Sequence, residues 1–449
     1  MDHQTNIQSV SMHRLIAEAI SVQIKNGDLN QGDKLPPERK IAMQFSASRG
    51  TVRTALVNLE QAGLITRRDR RHAVVSIKQK QHVTVKIACS SIEIINLLHN
   101  LSDLQILPTG YQLQYIDLHQ PEAFNRLMSQ PTLLPDILVC DFEHFGLFQN
   151  DDAYHLQMPC TDFTDIRLPA TIKSMFTHSG HYQAIPLGLS PMVLYGNRAI
   201  LEQVQPAYLP QQFSWQAFTD FLDRLTEITP YSLQLRPTFK HLNTLLNCFN
   251  TTLYNHNGTT SIANDSNRQA AFDFLDKYLH QKQGIPKLTR VDQLNLFSQQ
   301  RCAFTIDGFE KYHQYKKALG DDLVLYSLSH LQISGTVVDG FCAVVLSNSD
   351  AGQNSCDLVK TLLNLSPQRV MMQSGATISV RKELQNNEAL SSADILPHHT
   401  TPFMETLNNS TMPYLPQNPH YKAQVESLLL EFWLQLSSKQ QIIDRINNI

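Results

Sequence analysis

Hydrophobic residues in the first 65 positions recur at helical spacing in three short runs. The first run predicts a helix that ends near Gly27, and its apolar face comprises Met12, Leu15, Ile16, Ala19, Ile20 and Ile24. The other two runs predict helices on either side of the turn Ser46-Ala47-Ser48, with apolar faces of Ile41, Ala42 and Phe45, and of Val52, Ala55, Leu56 and Leu59. Ser48 is placed to cap the last helix and Gly63 to end it. The pattern therefore indicates a helix-turn-helix.

The solvent-facing positions of the last helix carry side chains that can read DNA. Arg49, Gly50, Arg53 and Thr54 share that face, and Thr51 lies at its edge. Arginine can pair with guanine or grip a phosphate, and threonine can contact a phosphate or a thymine methyl group. We therefore expect this helix to be a recognition helix.

Two short strands follow the helices. Leu64 to Arg67 and Ala73 to Ile77 flank the basic turn RRDRR, so that residues 1–78 are predicted to form an α+β winged helix-turn-helix. The polar run QKQHV, residues 79–83, is the best candidate for a linker. The remaining residues, 84–449, then form a second domain.

Strand-like and helix-like runs alternate at the start of this second domain. Val83 to Ala88, Tyr111 to Leu118 and Ile137 to Cys140 predict strands, and Ile92 to Leu101 and the region around Phe124 to Met128 predict helices. The alternation is typical of a parallel sheet with crossover helices, where ligands bind beyond the carboxyl ends of the strands. We expect ligand contacts at the positions that follow the first and third strands, which are Cys89, Ser90, Ser91, Asp141, Phe142 and Glu143.

Charge divides the chain at the same place as the hydrophobic pattern. Residues 1–80 hold 13 Lys and Arg against 7 Asp and Glu, whereas the remainder holds 24 against 33. A basic domain is attracted to DNA phosphates, and an acidic remainder opposes indiscriminate coating of DNA. The charge distribution therefore supports DNA as a partner.

Cysteine and histidine usage excludes several kinds of site. The seven cysteines contain no C-x-x-C pair, which is typical of free thiols in a reducing compartment. No apolar run reaches the roughly 20 residues of a membrane span, and the N-terminus lacks the apolar core of a secretory signal. We expect a cytoplasmic protein with no membrane partner, no cofactor and no metal site, with loop positions for His144, His178, His181, His398 and His399.

Three motifs in the first domain resemble the GntR family of bacterial transcription regulators. They are G-D-L-x-x-G-D-K-L-P-P-E-R, S-x-S-R-G-T-V-R-T-A-L and L-E-Q-A-G-L-I, and they follow the order of that family within residues 13–76. The resemblance implies a homodimer on a pseudo-palindromic DNA operator, with repression as the usual output. It implies DNA contacts from Arg39, Ser48, Arg49, Thr51 and Arg53.

The wing departs from the family pattern. Members usually carry a glycine at the wing tip, whereas this chain has no glycine between Leu64 and Ile77 and reads Arg70-Arg71-His72 there. Arg70 and Arg71 are therefore candidates either for side-chain contacts to phosphate or for a flexible basic tip that adds affinity without sequence information.

The second domain resembles the type 2 periplasmic solute-binding proteins, in particular the sugar-binding branch that includes maltose-binding protein. The resemblance is carried in family order by Leu134 to Val139, Gly180 to Leu187 with Val193 to Asn197, Ser214 to Phe218, Cys302 to Phe309, and Gly375 to Arg381. It implies a two-lobed α/β domain with a ligand cleft that closes on binding. One lobe is expected at about 84–190 and 341–378, and the other at about 191–340 and 379–449.

The same resemblance places six candidate ligand-binding residues at the cleft. Carboxylates accept hydrogen bonds from sugar hydroxyls, and aromatic rings pack on the apolar face of a sugar. The six residues are Asp141 and Glu143 in the first lobe, Ser190 near the first crossing, Arg236 and Phe239 in the second lobe, and Phe309 at the position of a stacking tryptophan. The alternatives are that both phenylalanines belong to the core and that Arg236 pairs with a surface acid.

A helical stripe near the C-terminus has two interpretations. It comprises Val425, Leu428, Leu429, Phe432 and Leu436. The stripe either packs against the second lobe, which we expect, or forms a dimer helix.

Three classes of function are compatible with these features. The first is a ligand-gated transcription regulator whose DNA affinity changes with a small solute, expected to be a sugar or oligosaccharide. The second, a fusion to a pyridoxal-phosphate enzyme, needs an internal lysine and a phosphate-cradling loop, and neither occurs in a convincing setting. The third is a DNA-binding protein whose large domain serves dimerisation or protein-partner binding without a small-molecule ligand. The sequence favours the first, a non-enzymatic regulator that acts as a repressor.

Overall fold

The structure of the protein is a computed structural model. It describes residues 12–25, 29–30, 32–61, 64–69, 72–75, 83–108, 110–119, 123, 126–127, 130, 134–148, 165–178, 181–204, 214–253, 266–280, 284–286, 295–331, 336–346, 352–411 and 419–448. The chain divides into two compact units, Met1–His82 and Val83–Ile449.

The first unit contains three helices and a two-stranded sheet, as predicted. Its elements are α1 (Met12–Lys25), α2 (Glu38–Gln44), α3 (Arg49–Gln61), β1 (Ile65–Asp69) and β2 (His72–Val75). The strands are antiparallel, with Ile65 opposite Val75, and the core gathers the apolar faces of all three helices. The predicted winged helix-turn-helix is confirmed.

The apolar face predicted for α1 is only partly correct. Ile16, Ile20 and Ile24 are buried against the rest of the unit, whereas Met12 and Leu15 are 46% and 44% exposed. The reason is geometric, because residues four apart lie on one side of a helix, and Met12 and Leu15 belong to a neighbouring stripe.

The turn between α2 and α3 is shaped by two serines. Ser46 adopts a left-handed conformation with φ 49°, which reverses the chain after α2. The Ser48 hydroxyl accepts the backbone N–H of Thr51 at 3.1 Å, which is the expected N-cap of α3. Gly63, Arg70 and Arg71 lie outside the described residues.

The second unit opens with the predicted strands. The strands of this unit are β3 (Val83–Cys89), β4 (Tyr111–Asp117), β5 (Ile137–Asp141), β6 (Thr177–His178), β7 (His181–Tyr182), β8 (Ile185–Pro191), β9 (Val193–Asn197), β10 (Tyr231–Gln234), β11 (Cys302–Asp307), β12 (Leu323–Ser327), β13 (Thr336–Val345) and β14 (Ser410–Thr411). The helices are α4 (Ile92–Asp103), α5 (Phe142–Phe148), α6 (Ala170–Phe176), α7 (Arg198–Leu201), α8 (Trp215–Leu225), α9 (Phe239–Cys248), α10 (Ser266–His280), α11 (Tyr312–Leu319), α12 (Gly352–Leu362), α13 (Leu365–Gln373), α14 (Asn387–Ser392), α15 (Pro397–Asn408), α16 (Pro419–Trp433) and α17 (Lys439–Asn447). The helix predicted around Phe124 to Met128 lies mostly outside the described residues.

The first lobe is built on a mixed sheet rather than the all-parallel sheet that the sequence predicts. β3 pairs in parallel with both β4 and β5, as expected. β13, however, pairs antiparallel with β5 and β8. The difference arises because β13 returns to this sheet from the second lobe, far along the chain, and runs in the opposite direction.

The second lobe is built on a four-stranded sheet in the order β10-β11-β9-β12. β8 ends in the first sheet at Pro191 and β9 begins in the second at Val193, so that the chain crosses between the lobes at Met192. The Met192 N–H donates to the Val337 carbonyl at 3.0 Å, which joins this crossing to the one that leads into β13.

The C-terminal segment, predicted to belong to the second lobe as part of 379–449, has contacts in both lobes. Leu390, Phe403 and Leu407, from α14 and α15, belong to the core cluster that contains the first-lobe strands and also residues of β9 and β12, whereas α16 and α17 pack into the core of the second lobe. Helix α15 lies against strands of both sheets, β8 and β13 in the first and β9 and β12 in the second.

The C-terminal helical stripe packs on the second lobe, as expected. Val425, Leu428, Leu429 and Phe432 are buried there. Leu436 is 73% exposed, contrary to the prediction, because α16 ends at Trp433.

The state of the cysteines and the lengths of the apolar helices are also predicted from the sequence. The six cysteines in the described part of the chain are buried and free. No helix among the described residues is both long and apolar enough to cross a bilayer.

Candidate functional site

The outer face of α2 and α3 presents the side chains expected to contact DNA. Arg39, Ser48, Arg49 and Arg53 are exposed, and Thr51 is half-buried. Because Ser48 accepts the Thr51 N–H and also bonds the Thr51 hydroxyl at 2.8 Å, these two side chains organise the start of α3. Arg49 follows immediately, in the first turn of the helix.

Glu38 is a member of this surface that the sequence analysis missed. One of its carboxylate oxygens lies 3.1 Å from Arg53 Nη2, and the other accepts Arg53 Nε at 3.4 Å. The hydrogen bond and the charge of Glu38 raise the pKa of the Arg53 guanidinium. The pair links α2 to α3 and holds one edge of the guanidinium, while the side chain of Arg53 remains 66% exposed.

A second ion pair connects the wing to α3. Arg67 of β1 lies 3.1 Å from Glu60 of α3, and its backbone N–H donates to the same carboxylate. This contact fixes the base of the wing. The wing-tip residues Arg70 and Arg71 lie outside the described residues, so their contacts stay a prediction.

A cavity of about 760 Å³ lies between the two lobes of the second unit. Four of the six residues predicted for the cleft, Asp141, Glu143, Ser190 and Arg236, line this cavity. Ser90 and Ser91, which follow the first strand as expected, line it as well. Ligand sites often lie at such interfaces between two parts of a fold.

The first-lobe wall is organised around Asp141. Its carboxylate accepts the backbone N–H of His144 at 2.9 Å, and it lies 2.6 Å from the ring Nδ1 of the same residue. Ser90 donates to it at 3.3 Å. Although burial by itself raises the pKa of Asp141, His144 and the positive charge of Lys422 hold it below its usual range.

The floor of the cavity is a four-residue polar cluster at the crossing strands. Lys240 Nζ lies 3.1 Å from Glu310 and 3.0 Å from Asp339, and Ser190 donates to the other oxygen of Glu310. Ser190 on β8 is directly opposite Asp339 on β13. A side chain at Gly308 would collide with both Ser190 and Glu310, so that this cluster needs glycine there.

The two carboxylates of this cluster differ in acidity. Burial raises the pKa of Glu310, but Lys240 and Ser190 outweigh it and lower the pKa to about 2. For Asp339, burial and the nearby charges of Asp141, Glu143 and Glu310 outweigh Lys240 and raise the pKa to about 6. One oxygen of Asp339, Oδ1, is buried and has no hydrogen-bond partner among the described residues.

The second-lobe wall positions Arg236. Its guanidinium donates to buried Asp307, which also accepts the hydroxyl of Tyr315 at 2.7 Å. His241 lies beside it, with Nε2 3.3 Å from Arg236 Nε. Arg236 therefore pairs with a buried acid, and not with the surface acid that the sequence left open.

One ion pair joins the two lobes directly across the cavity. Lys422 of α16 lies 2.7 Å from Glu143 of α5, and the two side chains are only 17% and 15% exposed. Glu143 belongs to the first lobe, whereas α16 packs in the core of the second. The pair therefore ties the lobes together.

The two phenylalanines predicted for the cleft are core residues. Phe239 and Phe309 are fully buried and do not line the cavity. Phe239 packs in the core of the second lobe, and Phe309 stacks on Tyr312 and against Phe403. Both rings therefore serve core packing. Among the described residues that line the cavity, Phe341 is the one phenylalanine.

The expected loop positions of the histidines are wrong, because His178 and His181 lie in strands β6 and β7 and the other three lie in helices. His144 lies in α5, and His399 is buried in α15, where its ring lies 3.1 Å from the Tyr312 hydroxyl. Burial lowers the pKa of His399 to about 4. No group of three His, Cys, Asp or Glu in the described ranges is arranged to hold a metal ion.

Residues missed by the sequence analysis include Lys240, Glu310, Asp339 and Lys422. Asp339 alone left a clear signal, because it is a single carboxylate within the otherwise apolar strand TVVDGFCAVV. The other three lie on helices or turns where a charged residue is ordinary.

Comparison with known proteins separates the two units. Residues 13–75 match the model of the family described as bacterial regulatory proteins, gntR family. The chain is 45% identical over 67 residues to the HTH-type transcriptional repressor NagR of Bacillus subtilis, which covers 15% of this chain and 28% of the relative. It is 35% identical over 71 residues to an uncharacterized HTH-type transcriptional regulator of Rhizobium meliloti, and this match covers 16% of this chain and 29% of the relative. The chain thus spans under a third of these relatives, and the match shows a GntR-type helix-turn-helix domain at the N-terminus.

Solved structures resemble the larger part of the chain. They include an ABC substrate-binding protein of Listeria monocytogenes in complex with cycloalternan, with a TM-score of 0.68 and 12% identity over 82% of this chain and 97% of that one. Maltose-bound MalE3 of T. maritima has a TM-score of 0.66 and 13% identity, and the match covers 82% of this chain and 98% of that one. The sugar-binding protein MalE of Xanthomonas citri has a TM-score of 0.65 and 14% identity, and the match covers 82% of this chain and 96% of that one. At these identities the likeness shows the fold alone. The solute-binding-protein fold predicted from the sequence is confirmed.

The interlobe ion pair yields a first prediction. Lys422→Met leaves Glu143 unpaired and largely buried, so we expect the free energy of unfolding to fall by about 1–3 kcal/mol, between the values for exposed and fully buried pairs. Glu143→Gln combined with Lys422→Met should cost less than the sum of the two single changes. Urea unfolding measures all three, with Lys360→Met in the exposed Lys360–Asp357 pair as control. Additive effects would show that the two side chains do not interact.

The raised pKa of Asp339 yields a second prediction. The Asp339 carboxyl binds its proton more tightly in the folded state, where its pKa is about 6, than in the unfolded state, where it is 3.8. Protonated Asp339 therefore stabilises the fold below pH 3.8, and this stabilisation is lost as the pH rises through about 6. The free energy of unfolding of the wild type, relative to Asp339→Asn, should therefore decrease between about pH 4 and pH 7. Urea unfolding across this range tests it, with Asp321→Asn at an exposed site as control. Parallel pH profiles for wild type and Asp339→Asn would contradict the assignment.

Proposed function

We propose that this chain, whose N-terminal unit is a GntR-type winged helix and whose second unit has the fold of sugar-binding proteins, is a ligand-responsive transcription regulator. It binds an operator through α2 and α3, and a small solute, a sugar or oligosaccharide, binds in the interlobe cavity. The observation that carries the proposal is the presence in one chain of an exposed arginine face on a helix-turn-helix and a polar cavity between two lobes.

The DNA-binding half of the proposal rests on Arg39, Arg49 and Arg53. All three are exposed on the paired helices. Arginine in the first turns of a recognition helix can reach guanine edges or phosphates. The protein acts in the cytoplasm as a homodimer, because two helix-turn-helix heads about one DNA turn apart match a pseudo-palindromic operator.

The ligand-binding half of the proposal rests on the polar lining. Asp141, Glu143 and Ser190 offer acceptors, and Arg236 offers donors, to a hydroxylated solute. The carbohydrate class is supported by the likeness of fold to proteins solved with cycloalternan and maltose. With Phe239 and Phe309 in the core, apolar contact to a sugar ring is left to Phe341 and to aliphatic lining residues such as Ile94 and Leu97.

Ligand and DNA are coupled through closure of the lobes. A solute that binds the closed arrangement better than the open one shifts the population toward the closed form. In a homodimer, this shift changes the placement of the two DNA-binding units and thereby their affinity for an operator. Release from the operator on ligand binding, as in a repressor, is the expected direction.

A second candidate function is favoured by the Glu143–Lys422 pair. Because this pair joins the lobes directly, the large unit serves dimerisation or protein-partner binding alone in this second candidate. The solute screen described below separates the two candidates.

The recognition surface yields a prediction for DNA binding. The probe is the DNA sequence enriched from a random pool by the wild-type protein. Arg49→Ala and Arg53→Ala should each weaken binding to it by about 1–3 kcal/mol if these side chains read bases. Fluorescence anisotropy at moderate salt measures the affinity, and Arg369→Ala, at an exposed site of the second unit, is the control. Unchanged affinity in both variants would refute the assignment of Arg49 and Arg53 as residues that contact DNA.

The cavity yields a prediction for ligand binding. A mono- or oligosaccharide at one hundred times its dissociation constant should stabilise the protein by about 2.7 kcal/mol, seen as a higher melting temperature. Asp141→Asn should reduce that shift, while Asp357→Asn, on the exposed face of α12, should not. Stabilisation by another class of solute alone would refute the carbohydrate assignment. An absence of any stabilising solute would favour the second candidate function.

A further inference from the structure

Helix α1 carries an exposed apolar stripe that the fold of its own unit does not use. Three large side chains on it, Met12, Leu15 and Val22, are 46%, 44% and 47% exposed, and Ala19 is half-buried between them. The buried stripe of the same helix, Ile16, Ile20 and Ile24, faces the core of the unit instead.

The spacing of the exposed stripe is that of a helix-pairing seam. Met12, Leu15, Ala19 and Val22 are separated by three, four and three residues, which is the alternation of the two apolar positions in a heptad. Isolated exposed hydrophobic residues are ordinary on protein surfaces, and the exposed Met43 and Val57 of this unit are of that kind. Four apolar residues aligned at seam spacing are typical of a helix that packs against another helix.

The charges beside the stripe favour a second copy of α1 as the occupant. Arg14 and Glu18 are both exposed and lie one helical turn apart along its edge. In a parallel pair, the edge that carries Arg14 and Glu18 would face the opposite edge of the partner helix, so these charges would not meet. In an antiparallel pair related by a two-fold axis, Arg14 of each copy can face Glu18 of the other, so that the surface complements itself.

The size of the stripe indicates when such a pair would form. α1 has 14 residues, and four side chains bury much less than the roughly 800 Å² per partner of a stable interface. The contact is therefore too small to hold two free chains together through α1 alone. It can form when two DNA-binding units are already held close, because their effective concentration is then high.

We propose that α1 is a contact surface between the DNA-binding units of two copies that occupy adjacent half-sites. The α1–α1 contact strengthens binding to a two-half-site operator without touching the DNA. The proposal rests on the DNA binding proposed above, and it goes further by assigning a surface that neither reads DNA nor belongs to the large unit.

The test compares two DNA duplexes of equal length. One carries both half-sites of the selected sequence, and the other carries one intact and one scrambled half-site. Leu15→Ser with Val22→Ser in the full chain should reduce affinity for the two-half-site duplex by about tenfold and leave affinity for the single half-site unchanged. Leu436→Ser, at an exposed leucine of the second unit, is the matched control and should change neither.

A charge reversal provides a stricter test. Arg14→Glu should weaken two-half-site binding, and Arg14→Glu combined with Glu18→Arg should restore it, because the antiparallel pair is complementary again. The single half-site duplex corrects for any general effect of charge on DNA binding.

Three outcomes would overturn the proposal. An equal loss on both duplexes would show that α1 supports the unit or contacts DNA. Unchanged binding with a lower melting temperature would show that the stripe is covered within the same chain. Unchanged binding and melting would show that it has no partner. Failure of the wild type to bind any enriched DNA would refute the proposed function itself, which is a distinguishable result.

Discussion

The paired crossing between the lobes is the constraint on which the second unit depends. β8 and β13 run antiparallel, with Ser190 opposite Asp339, and the Met192 N–H bonds the Val337 carbonyl at 3.0 Å where the chain passes between the lobes. A side chain at Gly340 would lie 2.1 Å from the Gly188 carbonyl oxygen, so the strands can approach this closely only because glycine is present. Since both connections lie side by side, we expect the lobes to move as rigid bodies about this line.

The charges of the cavity follow from that arrangement. Lys240 is shared between Glu310 and Asp339, which stand at the floor, and Lys422 reaches Glu143 in the opposite lobe. Buried charges are tolerated only when they are paired or hydrogen-bonded, so any solute that displaces these contacts must replace them. A hydroxyl-rich molecule can do so, whereas an apolar one would leave donors and acceptors unsatisfied. The polar lining therefore supports the proposed hydroxylated ligand, although few aromatic side chains among the described residues line the cavity.

Local signals in the sequence predicted more than long-range ones. Patterns within a few residues predict the N-cap of α3 by Ser48, the winged helix and the position of Asp141 at the end of a strand. The antiparallel entry of β13 and the partner of Glu143 depend on contacts between distant parts of the chain, which periodicity does not encode. Aromatic identity was also ambiguous, because a phenylalanine such as Phe309 fits a core as well as a stacking platform. On α1 the apolar residues formed two stripes, and only packing shows which is buried.

In the proposed regulator, solute binding in the cleft changes DNA affinity. The most direct measurement is the dissociation constant of the full chain for its selected operator, determined with and without a saturating concentration of a sugar that raises the melting temperature. We expect the dissociation constant to change by about 5- to 150-fold, the usual range of coupling between two sites, with weaker binding in the presence of the sugar. An unchanged dissociation constant at saturation would contradict this expectation.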